Sequence, residues 1–120
     1  MKAMIAWWDL TESQQSAETL RDFLREEAEQ SWSDIPGLIL KVWISDPASN
    51  RWGAVFLWES EEAARAAQLP RSAGELIGHP LDFRGWFDVE ATVEGLHSLT
   101  SLSGLGLALG SPAAGADAAP

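Results

Sequence analysis

Leu38-Ile39-Leu40-Lys41-Val42-Trp43-Ile44-Ser45, followed by Asp46-Pro47-Ala48-Ser49-Asn50 and then Trp52-Gly53-Ala54-Val55-Phe56-Leu57-Trp58-Glu59, reads as a pair of strands around a turn. Both flanks are rich in β-branched and aromatic residues, which fit a pleated, half-buried surface. The middle is turn chemistry throughout. The stretch therefore predicts an antiparallel hairpin with a longer loop. Upstream, Lys2-Ala3-Met4-Ile5-Ala6-Trp7-Trp8 predicts another strand. Downstream, Asp82-Phe83-Arg84-Gly85-Trp86-Phe87-Asp88-Val89 predicts a fourth.

Helices fill the two intervals. Ala17, Leu20, Leu24 and Ala28 recur at spacings of three and four, with acids between them. That pattern predicts an amphipathic helix over about 12–33. Thr11-Glu12-Ser13-Gln14 supplies a capping-box signature for its start. Ile35-Pro36-Gly37 ends it. Ser60 caps a short Ala-rich helix over 61–68, Pro70 closes it, and a second helical turn is expected from Ser72 to Ile77. The order strand, helix, strand, strand, helix, strand predicts an α+β ferredoxin-like βαββαβ fold. Its four-stranded antiparallel sheet carries both helices on one face. Residues 1–98 form this domain. Residues 99–120 are a Leu/Gly/Ala-rich extension, with Leu96, Leu99, Leu102 and Leu105 expected to pack on a neighbour and 111–120 expected to be disordered.

Composition narrows the function. The chain has 120 residues, a formal charge of −10 and no Cys. The acidic balance argues against a nucleic-acid partner and against anionic membranes. No apolar run approaches a membrane span, and the N-terminus shows no secretion signal. The expected compartment is the cytoplasm. Seven Trp and four Phe are many for one small domain, and they point to a bulky apolar or aromatic partner.

Strand alternation divides these rings. The purely aliphatic face Leu38, Leu40, Val42 and Ile44 is assigned to the helices, as are Val55 with Leu57 and Phe83 with Phe87. The mixed face Trp7, Lys41, Trp43, Phe56, Trp58, Arg84 and Trp86 is assigned to the open side. A second copy covering that side would enclose a Trp-lined cavity suited to a flat apolar molecule. The alternative is that these rings only fill a dimer interface.

Gly37-Leu38-Ile39-Leu40-Lys41-Val42-Trp43, Gly53-Ala54-Val55-Phe56-Leu57-Trp58, Ser60-Glu61-Glu62 and Trp86-Phe87-Asp88-Val89 resemble the YdhR family of monooxygenases over roughly residues 3–96. Pro-Gly-x-x-x-Lys-Val-Trp is the most distinctive piece, and Lys41 and Trp43 match the family's Lys and Trp. The resemblance implies a dimeric α+β barrel, a fold shared with antibiotic-biosynthesis monooxygenases, haem-degrading enzymes and non-oxidative cyclases. The extension from Leu99 and the Trp at 7, 8, 52 and 86 lie outside that pattern.

Other chemistries find few residues. His79 and His97 have no companion Cys for a metal site. There is no nucleophile elbow and no phosphate-binding Gly loop, so no cofactor is expected. Lys41, Arg84 and His79 are the candidate catalytic residues, with Asp82 and Asp88 near them in sequence. A cation against an apolar wall can hold a phenolate, enolate or carboxylate. Trp7, Trp43, Phe56, Trp58 and Trp86 are the candidate substrate-binding rings. The expected function is a cofactor-independent monooxygenase acting on an aromatic or polyketide-like molecule, working as a homodimer. The alternatives are a non-oxidative cyclase or isomerase in the same cavity, or a binding protein without turnover.

Overall fold

The computed structural model describes residues 1–28, 32–70, 73–102 and 106–108. Four strands, β1 (Lys2–Asp9), β2 (Leu38–Asp46), β3 (Arg51–Trp58) and β4 (Phe83–Asp88), form one antiparallel sheet in the order β2-β3-β1-β4. With helices between β1 and β2 and between β3 and β4, this is the expected α+β ferredoxin-like arrangement. The β2–β3 turn contains a 3-10 turn at Pro47–Ser49 and ends at Asn50, whose φ of 58° is the left-handed conformation Asn tolerates well. The hairpin register follows from it: Asp46 pairs with Arg51, Val42 with Val55 and Lys41 with Phe56.

The first helix starts later than its sequence suggests. α1 spans Ala17–Phe23, and its cap is Ser16 rather than Thr11. Ser16 Oγ accepts from the Thr19 amide at 3.2 Å, and Thr19 Oγ1 accepts from the Ser16 amide at 2.8 Å. This reciprocal pair satisfies two backbone donors locally. The expected cap residues serve a loop instead. Asp9 Oδ1 accepts from the Thr11 amide, and Ser13 Oγ donates to the Ile77 carbonyl. Leu10, 2% exposed, plugs that loop into the core. After Phe23 the helix widens into a π-helical turn, Leu24–Ala28. α2 (Glu61–Ala66) is capped by Ser60 through the Ala63 amide, and α3 (Ala73–Ile77) follows. A short α4 (Leu99–Leu102) lies in the extension, and Ala108 returns to the core. The segment expected to be disordered, 111–120, and Leu105 lie outside the described residues.

The sheet presents the opposite face to the helices from the one composition suggested. The core is built on Trp52, Ala54, Phe56 and Trp58 of β3, against Leu20, Leu24, Trp32, Ile35 and Ile77. Met4, Trp8, Trp43 and Trp86 pack on it. Six of the seven Trp therefore serve the covered side, and Trp7 alone belongs to the open one. The open face carries Ile5, Val42, Ile44, Val55, Leu57, Phe83 and Phe87. The physical reason is area: a ring buries far more apolar surface than a Val or Leu, so the aromatic face is the better core. In β1, Trp7 keeps its expected place on the open side, and Met4, Ala6 and Trp8 are covered. Leu38 reaches the covered side through an irregularity. The register shifts between Leu38 and Leu40, leaving Ile39 as the extra residue of a bulge.

Gly53 fixes how closely β1 and β3 approach. A Cβ there would lie 2.1 Å from the Ala6 carbonyl oxygen and 2.7 Å from Trp7 Cβ. No side chain fits.

Candidate functional site

Lys41 sits mid-strand on β2, opposite Phe56 and two residues before Trp43, on the covered face. Neighbours at i+2 and across the strand pair share a face, so its stem runs between two rings by construction. Trp32, a helical residue just before the turn that leads into β2, closes the third side. The Lys41 Nζ lies 3.3 Å from the centroid of the Trp32 ring, 4.4 Å from that of Trp43 and 4.7 Å from that of Phe56. Trp32 meets Trp43 edge-on at 6.1 Å and tilts against Phe56 at 5.9 Å. No carboxylate pairs with Lys41 among the described residues. Burial among these rings lowers the amine's pKa from 10.5 to about 7. The ring faces oppose that shift, since each attracts a cation.

One further polar atom shares this side of the sheet. Trp58 Nε1 is buried and has no hydrogen-bond partner among the described residues. The Trp58 ring stacks on Phe56 at 6.1 Å, one side-chain position along β3 from the Lys41 box. Box and indole together offer N–H donors and flat apolar walls, and the amine's lone pair is an acceptor whenever it is uncharged.

The other candidates are not gathered here. Arg84 is exposed on β4, opposite Ala6. β4 and β2 are opposite edges of the sheet, three strand spacings or roughly 14 Å apart. Trp86 shares β4 with it and packs against the core near Met4. Asp88 pairs with Lys2. His79 lies before β4 at the far end of β1. Its Nε2 is 3.0 Å from the Asp9 carbonyl oxygen and its Nδ1 is 2.9 Å from that of Pro80. The same loop is tied down by Trp8 Nε1 donating to the His79 carbonyl and by the Asp9 amide donating to Asp82 Oδ2. The Pro80 carbonyl, then that of Asp9 and the charges of Asp82 and Asp9, raise the His79 pKa. This histidine clamps a loop; it does not approach Lys41. His97 lies in an exposed stretch after β4.

The open face holds a shallow depression of about 200 Å³, lined by Trp7, Ile44, Ser45, Asp46, Arg51 and Gly53. Of the five rings expected to line a cavity, only Trp7 borders it. Trp7 stacks on Phe83 with centroids 4.3 Å apart, and the Arg51 guanidinium lies 5.2 Å from its ring. Trp43, Phe56, Trp58 and Trp86 are on the other side of the sheet, in or against the core. Sequence reasoning missed Trp32 as a wall of the Lys41 box. It is the last ring before the turn that feeds β2, and strand parity does not carry through that turn. Among the described residues no cluster of His, Cys, Asp or Glu could hold a metal ion, and no helix is long and apolar enough to cross a membrane. Compared with family models and with curated proteins, the sequence matches none.

Proposed function

We propose that this protein is a cofactor-independent monooxygenase that holds a flat, acidic aromatic or polyketide-like molecule beside Lys41 and acts as a homodimer. One observation carries the reading. An amine with no carboxylate partner among the described residues stands among three ring faces, with a pKa of about 7. Near neutral pH about half the molecules hold it uncharged. An uncharged amine can take the proton of a phenol or enol. The ammonium formed then stays beside the new anion, in surroundings of low dielectric where the pair attracts strongly. The buried Trp58 Nε1 is a second donor on the same face.

The anion is the electron source and dioxygen the co-reactant. An activated methylene and one dioxygen give a ketone and one water. Two C–H bonds break, one oxygen atom enters the product as the carbonyl oxygen, and the other leaves with both hydrogens as water. The protein contributes orientation, charge stabilisation and exclusion of solvent.

Pairing of two chains is proposed through the open face. Val42, Ile44, Phe83 and Phe87 are each 38–46% exposed there, which makes an apolar patch that a second copy would cover. Val42→Asp should convert a dimer to a monomer in sedimentation; a wild-type chain that sediments as a monomer removes this part of the reading.

The reaction is tested with a hydroxyanthrone in an oxygen electrode, with mass spectrometry of the product. Oxygen uptake should accompany a product richer by one oxygen and poorer by two hydrogens. Lys41→Met should slow it by about 100-fold, the usual contribution of a general base. Ring closure at unchanged mass, or tight binding of unchanged ligand, would overturn oxygenation in favour of a cyclase or a binding protein.

A further inference from the structure

We propose that Lys41 is a carbonyl nucleophile, which captures aromatic aldehydes or aryl ketones as an imine within its box of rings. The geometry supplies what such capture needs. Nζ ends a strand-borne side chain whose neighbours Trp43 and Phe56 are fixed by the register of β2 and β3. Three ring faces surround it within 4.7 Å, and no acid among the described residues ties it up as a salt bridge. The residue as a whole remains partly exposed. An aryl group on that carbon would stack where the walls are already aromatic.

The step balances without a further reactant. The nitrogen lone pair attacks the carbonyl carbon. The C=O bond breaks, both amine protons leave with the oxygen as water, and a C=N bond remains. A second donor, Trp58 Nε1, which has no hydrogen-bond partner among the described residues, lies along the same face. This proposal needs the box but not dioxygen, so it stands or falls separately from oxygenation.

The chain carries only two lysines, Lys2 and Lys41, besides its terminal amine. That makes the assignment sharp. Lys2 pairs with Asp88, which raises its pKa. At pH 7 an ordinary lysine is uncharged in roughly one molecule in 3,000, whereas an amine titrating near 7 is uncharged in about half. The experiment is reductive trapping of the intact protein with benzaldehyde and cyanoborohydride, followed by peptide mapping. Propanal serves as the non-aromatic comparison. Lys41 should be labelled at least ~10-fold faster than Lys2, and faster by benzaldehyde than by propanal. Lys41→Arg keeps a cation in the box and should lose that label alone, with circular dichroism unchanged. Labelling confined to the terminal amine and Lys2, or a rate at Lys41 no greater than at Lys2, would refute the proposal. Equal rates with propanal would refute its aromatic preference.

Discussion

Replacing Lys41 by Met should stabilise the protein, and should do so most at low pH. Met fills the same channel between Trp32, Trp43 and Phe56 with a flexible apolar chain. What it removes is a charge held out of water. The folded amine titrates near 7 instead of 10.5. In the interval between these values the unfolded chain binds more protons than the folded one, so stability rises with pH there. Below about pH 7 both states are protonated and the whole penalty is felt. At about 1.4 kcal/mol per pH unit, the interval from 10.5 to about 7 corresponds to at most about 5 kcal/mol. The penalty for holding the charge among the rings is therefore a few kcal/mol. Urea unfolding of wild type and Lys41→Met at about pH 6, 7.5 and 9 reads it directly. The variant should gain about 2 kcal/mol or more at the lowest pH, and the gain should shrink as pH rises. A gain that does not depend on pH, or a loss of stability at pH 6, would falsify the buried-amine argument.

Gly53→Ala should cost several kcal/mol or prevent folding, since its Cβ would sit 2.1 Å from a backbone oxygen of the neighbouring central strand; a melting temperature within a few degrees of wild type would contradict that contact. His79→Gln should matter more in acid than in base. A raised folded pKa contributes stability that is complete below the ordinary value of about 6.5 and disappears as pH climbs through the folded value. Melting temperatures at about pH 5.5 and 8.5 should therefore differ between wild type and variant chiefly at the lower pH. Ser16→Ala should cost about 1 kcal/mol by removing one half of a reciprocal cap, whereas Thr11→Ala should cost little; equal costs would return the helix start to Thr11.

The strands were legible because hydrophobic and turn residues punctuate them clearly, and four of them in that order with two helical intervals admit few topologies. Which face turned inward was not legible from the composition of β2 alone. A lysine among rings suggests a wet surface, and four aliphatic residues suggest a core. The rim charges held better information. Arg51 shares its parity with Gly53, Val55 and Leu57, and Asp46 shares its parity with Val42 and Ile44. Both charges stand on the open side, and Trp52, Ala54, Phe56 and Trp58 contain no charge at all. The site was half legible for a related reason. Lys41, Trp43 and Phe56 come together through strand geometry, which sequence spacing encodes. Trp32 reaches them through a turn whose path it does not encode, and Arg84 is separated from them by strand order. Thr11 misled because a capping signature marks where a helix can begin, while the burial of Leu10 holds the chain in a loop there.

The extra residue at Ile39 matters beyond the packing of Leu38. β2 is an outer strand, and its run of Leu, Ile, Val and Trp has the makeup of segments that recruit identical strands into fibrils. An incoming chain must match the spacing of the unpaired amides it meets. One inserted residue breaks that spacing near the start of the strand, and Pro47 stops it at the other end. The most adhesive border of the molecule is thereby a poor template for its own copying.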